Sequence, residues 1–120
     1  MSCGNINLTC GNGFNVNSGF NYQFNVSIEE EDFTGRTFHF KVKSKKSDAT
    51  YIFELTNTTD ASVSGVYIPT PSSGTLTIVI KGSDSVSITS QNAVYEFYYN
   101  DGADDVLMFS GRLDFIAGVL

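Results

Sequence analysis

Asp32-Phe-Thr-Gly-Arg-Thr-Phe-His-Phe-Lys-Val-Lys-Ser44, then Lys45-Lys-Ser-Asp-Ala49, then Thr50-Tyr-Ile-Phe-Glu-Leu55: this stretch decides the fold. Side chains on an extended strand alternate between two faces. Phe38, Phe40 and Val42 therefore share one face, and Thr37, His39, Lys41 and Lys43 share the other. Tyr51, Phe53 and Leu55 supply the matching apolar face on the return run. Two alternating runs joined by a short polar loop spell an antiparallel β-hairpin. Gly35 is placed to supply the backbone angles of the turn that opens it.

The same alternation recurs outward from the hairpin. Upstream, Asn21 to Ile28 puts Tyr22, Phe24, Val26 and Ile28 on one face, and the carboxylates of Glu29 to Asp32 then break the strand. No glycine bends that acidic run as a calcium loop requires, so it reads as a solvated turn. Residues 1–19 form a polar, Gly- and Asn-rich arm, expected to be flexible and to pair either with the domain's own edge or with a neighbouring subunit. Downstream, Val63 to Pro69 reads as a short strand with Gly65 at a bulge or edge. Thr75 to Lys81 sends Leu76, Ile78 and Ile80 inward and leaves Val79 exposed. Gly82 to Ile88 has room for one helical turn capped by Ser83 or Asp84. Val94 to Tyr99 is the most aromatic strand, Asn100 to Asp105 a hairpin turn around Asp101-Gly102. Val106 to Ile116 is one bent strand or two, kinked at Gly111. About seven strands with turns every 8–12 residues, and no clear helix, predict an all-β antiparallel sandwich over residues 20–120.

The chain has 120 residues, enough for one domain with its own core. It carries ten Phe, six Tyr and no Trp, and only 17% charged residues, a composition of strands and turns. The net charge of −6 and pI near 4.4 disfavour a nucleic-acid surface, which needs clustered Lys and Arg. The one basic cluster, Lys41 to Lys46, sits at a hairpin tip. No apolar run approaches a membrane span, and the N-terminus lacks the features of a signal peptide. The expectation is a chain made in a cytosol, without membrane contact. Cys3 and Cys10 lack the spacing and companions of a zinc site and read as reduced thiols on the arm, with a local disulfide as the alternative in an oxidising medium.

Nothing in the sequence assembles a reaction centre. His39 is the only histidine and has no evident partner acid or nucleophile, and no phosphate-cradling loop or metal cluster occurs. Catalytic, cofactor-binding and metal residues are therefore expected to be none. One non-catalytic alternative comes from residue chemistry: Tyr98, Tyr99, Asn100 and Asp101 combine aromatic faces with polar groups, as carbohydrate- or receptor-binding modules do.

A set of motifs carries a resemblance. Asp32-Phe-Thr-Gly-Arg-Thr-Phe-His-Phe-Lys-Val-Lys43 is followed by Gly74-Thr-Leu-Thr-Ile-Val-Ile80 and Ala93-Val-Tyr-Glu-Phe-Tyr-Tyr99. Then come the Asn100-Asp-Gly102 turn and the Phe109-Ser-Gly-Arg-Leu-Asp-Phe-Ile-Ala-Gly-Val119 ending. In this order, over roughly residues 20 to 119, the chain resembles the small Ig-like β-sandwich of tailed-phage virion proteins, found in baseplate upper proteins and tail-fibre adaptors. A similar Asp-Leu-Thr-Gly turn opens the corresponding strand in that family. The resemblance implies a non-enzymatic structural protein of a bacteriophage virion, a tail or baseplate adaptor or a capsid-surface decoration. Its partners would be other virion proteins, in a multimeric assembly of capsid, tail or baseplate subunits. The arm in front and the sequence's end after the sandwich suit a stand-alone component. Phe14, Phe20, Val119 and Leu120, and also Tyr98, are the expected partner contacts.

Overall fold

The hairpin forms as its alternation requires. In a computed structural model, which describes residues 14–27, 32–45 and 51–117, β3 (Thr37–Lys43) pairs antiparallel with β4 (Phe53–Thr58). Phe38, Phe40 and Val42 are all fully buried. Tyr51 falls before β4 begins and stays exposed, so Phe53 and Leu55 alone carry the inner face of the return strand.

The turn ahead of β3 works as a plug. The Asp32 carboxylate accepts from the Thr34 N–H at 2.9 Å, the Arg36 N–H donates to the Phe33 carbonyl at 3.1 Å, and Gly35 takes φ +79°. This tight bend drives Phe33 into the core, edge-on to Phe38 with ring centroids 5.0 Å apart. Its N–H is satisfied by the Pro71 carbonyl, 2.8 Å away in a 3₁₀ turn over Pro71–Ser73.

The remaining strands are β1 (Phe14–Asn17), β2 (Tyr22–Ser27), β5 (Gly65–Tyr67), β6 (Thr75–Ile80), β7 (Val94–Asn100) and β8 (Asp105–Ile116). They form one sheet in the order β1-β8-β7-β3-β4-β5-β6-β2, nearly closed into a barrel. The core lies inside it, where Phe24, Val26, Leu76 and Ile78 meet Phe38, Phe40, Tyr95, Phe97 and Leu113. Across β3 and β7, Phe38 stacks on Phe97 at 5.5 Å and Phe40 on Tyr95 at 5.3 Å. These are diagonal neighbours, not directly opposed residues, a geometry within reach of aromatic side chains in a twisted sheet.

The fold is all-β, but not the wholly antiparallel seven-stranded arrangement that local pattern suggests. Eight strands are present among the described residues, and β1–β8 and β4–β5 run parallel. Residues 14–17, expected in the arm, are β1: Val16 is fully buried opposite Phe115. Gly65 is not at an edge, because β5 lies between β4 and β6. A Cβ there would meet Thr58 Cγ2 at 2.7 Å and the Thr56 carbonyl at 3.0 Å, so close strand approach selects glycine. Val79 is buried rather than exposed, although it lies outside the main core cluster.

Two further local expectations change. The helical turn α1 (Gly82–Ser85) forms, but Lys81 is its N-cap and neither Ser83 nor Asp84 caps it. Its first residue abuts the β1–β2 turn, where a Cβ on Gly82 would lie 2.2 Å from the Gly19 carbonyl oxygen. In β8 the irregularity falls at Met108, not Gly111. Phe97 is paired with Phe109 and Tyr98 with Leu107, so Met108 is an extra residue. One extra residue reverses which side chains face the core. Leu113 and Phe115 point inward, Met108 is buried, and Leu107 turns outward.

Candidate functional site

The outer face of the β4–β3–β7 strip gathers most of the polar chemistry found in strands. β3 sits between its two neighbours, so outward His39 and Lys41 each have a companion on either side. The register sets Lys41 opposite Glu54 on β4 and Glu96 on β7, and His39 opposite Thr56 and Tyr98. Contacts are made diagonally as well as directly. His39 Nδ1 lies 2.8 Å from Glu54 Oε2, Lys41 Nζ lies 3.9 Å from the same oxygen, and Lys43 Nζ lies 3.3 Å from Glu96 Oε1.

Aromatic rings frame these charges. The His39 and Tyr98 rings stack with centroids 4.9 Å apart and planes 17° from parallel. The Lys41 ammonium lies 5.3 Å from the Tyr51 ring centre and 5.4 Å from that of Tyr98, within cation–π range. Hydrogen bonding to Tyr98 outweighs partial desolvation and holds Lys41 above the usual lysine range, with the Glu54 carboxylate adding to the effect. Beside this cluster, Tyr98, Glu96, Asp105 and the outturned Leu107 line a shallow groove of about 280 Å³.

His39 thus has a partner acid that the linear sequence did not disclose. An imidazole oriented by a carboxylate is one half of an acid–base device. Here its hydrogen-bond partner is the Glu54 carboxylate and its ring stacks on Tyr98. No group of three His, Cys, Asp or Glu side chains able to hold a metal occurs among the described residues. What the face offers is paired charge with aromatic and aliphatic stems, which suits contact with another surface.

The expected contact residues are dispersed. Phe20 is 43% exposed in the β1–β2 turn, against α1. Phe14 opens β1 in register with Leu113. Tyr98 is on the outer face of β7, half-buried by its His39 stack rather than freely exposed. Val119 and Leu120 lie outside the described residues, as do Cys3, Cys10 and Ile28.

The aromatic and polar group at 98–101 is not assembled as a platform. Tyr98 and Tyr99 lie on opposite faces of β7, and Tyr99 packs against the core with the Arg36 guanidinium 4.4 Å above its ring. Asn100 and Asp101 are occupied by the hairpin. Asn100 Oδ1 accepts from the Gly102 N–H at 2.8 Å and its amide donates to Asp105 at 2.9 Å. The Asp101 carboxylate accepts from the N–H groups of Ala103 and Asp104, which holds it below the usual carboxylate range. Neither protein-family models nor curated protein sequences gave a match to the chain.

Proposed function

We propose that the chain is a non-enzymatic structural protein of a bacteriophage virion, acting as a tail or baseplate adaptor or a capsid-surface decoration. It joins neighbouring subunits through strand edges. The observation that carries this reading is the pair of strands that end the sheet. β1 and β2 each have a ladder on one side only among the described residues, and their sequences, Phe-Asn-Val-Asn and Tyr-Gln-Phe-Asn-Val-Ser, contain no charge and no proline. Edges that are not meant to pair are normally guarded by charge, proline or a bulge. An unguarded edge is a template for another chain's backbone.

The likeness of the Asp32–Lys43, Gly74–Ile80, Ala93–Tyr99 and Phe109–Val119 motifs to Ig-like phage sandwiches supports the same reading. Five of the seven ladders are antiparallel, which is compatible with a distorted member of that type. The test is a guarded edge. Asn15→Lys and Gln23→Lys change exposed residues of β1 and β2. Together they should leave the isolated protein folded, yet strongly reduce its occupancy in purified particles. Normal occupancy of the double variant would end the proposal.

A further inference from the structure

The connectivity leaves a gap in the middle of the sheet. Residues 59–64 join β4 to β5, and β5 spans only Gly65–Tyr67. It meets β4 at Asn57 and Thr58 alone. On this side, Phe53 to Leu55 have no strand partner among the described residues, although β3 covers their other side. A cleft of about 370 Å³ lies there instead, a volume in the range of ligand-binding sites.

Three features of its lining point to the same class of occupant. In a strand, backbone N–H and C=O groups point sideways, so β4 presents main-chain donors and acceptors to the cleft. Phe53, Leu55 and Ile80 make its walls apolar. Asp84 sits in its lining on α1 with its carboxylate held in place: the Ser64 hydroxyl donates to Oδ2, and the Lys81 N–H donates to Ser64 Oγ at 2.8 Å. Glu54, the other acid of the lining, has its carboxylate paired with His39 and Lys41. No Lys, Arg or His is among the described residues of the lining.

We propose that this cleft accepts an extended peptide from a partner protein. The peptide adds a strand beside β4 and sets a Lys or Arg side chain against Asp84. Charge selects the source. Residues 1–13 of this chain contain no Lys or Arg. In a second copy, Lys41 and Lys43 belong to β3, which is paired on both sides, so neither is free to add as a strand. The site is distinct from the β1 and β2 edges and is read on the isolated protein, so its failure leaves the particle proposal standing, and the reverse also holds.

The test is an amide NMR titration of the full chain with acetyl-Thr-Val-Lys-Val-Thr-amide and its Glu-for-Lys analogue. The lysine peptide should give saturable shifts at Phe53 to Leu55, Ser64 and Asp84. Replacing its Lys by Glu, or changing Asp84→Asn in the protein, should weaken binding about three- to fivefold, the scale of one solvent-accessible ion pair. Asn at position 84 still accepts from Ser64, and the Glu peptide tests the charge on the unaltered protein. Equal binding of the two peptides, no saturable shifts at millimolar peptide, or shifts confined to β1 and β2 would overturn the proposal. Tighter binding by a synthetic peptide of residues 1–13 would do so as well, by making this chain the occupant.

Discussion

β3 and β4 are the two halves of one hairpin, yet they live in different surroundings. β3 is laddered from Thr37 to Lys43 against β7 and from His39 to Val42 against β4. Among the described residues β4 has four residue pairs on one side and two on the other. Their inner faces differ accordingly: Phe38, Phe40 and Val42 are sealed, while Phe53 is half-buried beside a cleft. The difference comes from how the chain continues. A strand placed between long partners is completed by them, whereas β4 keeps an open flank beside the three-residue β5.

That contrast can be broken first at its strongest point. Phe40→Ala removes a ring that stacks on Tyr95 and faces Phe97, and should cost about 3–5 kcal/mol in chemical denaturation. Leu55→Ala, directly opposite, should fall near the lower end of its class, about 2 kcal/mol, because the cleft already adjoins it. Equal losses would show that the open flank has no energetic consequence.

The sealed flank also has a pH signature. Burial pushes the Tyr95 phenol up to about 12, against about 10 in the unfolded chain. Between these values the unfolded state gives up a proton that the folded state keeps, so stability present below pH 10 is lost as pH rises toward 12. The loss attributable to this group is roughly 2–3 kcal/mol. Tyr95→Phe should flatten that part of the alkaline unfolding profile; an unchanged slope would contradict the assignment.

On the other flank, Gly65→Ala forces a methyl onto Thr58 and the Thr56 carbonyl and should cost about 1–3 kcal/mol by melting. Neutral behaviour would mean that the two-pair β4–β5 contact yields easily. The smallest effect belongs to the outer face. Glu54→Gln separates His39 and Lys41 from their shared acid and should change stability by less than about 1 kcal/mol, an effect that fades in high salt. A larger, salt-independent loss would mark that ion cluster as structurally dominant.

The outer cluster was only partly legible in the sequence. Lys41, His39 and Tyr98 could be assigned to polar faces by alternation. Their meeting with Glu54 and Glu96 needed the register of two ladders, one of them across more than fifty residues. The His39–Glu54 pair lies within the hairpin, but its alignment depends on the loop length, and the polar run from Ser44 to Thr50 fits several. The cleft left no local signal, because it arises where β4 has no strand partner among the described residues.

Alternation by itself determined which residues of β2, β3 and β7 face the core, where the hairpins turn, and that the chain would be built of strands. These are properties of a backbone whose side chains repeat every two residues, and each is written within a few neighbouring positions. Tertiary structure alone decided the two parallel ladders, the extra residue at Met108 that turns Leu107 outward, the burial of Val16 and Val79, and the opening beside β4. Each depends on which distant strand comes alongside, and that choice is settled by closing loops and filling a shared core rather than by any local run of residues.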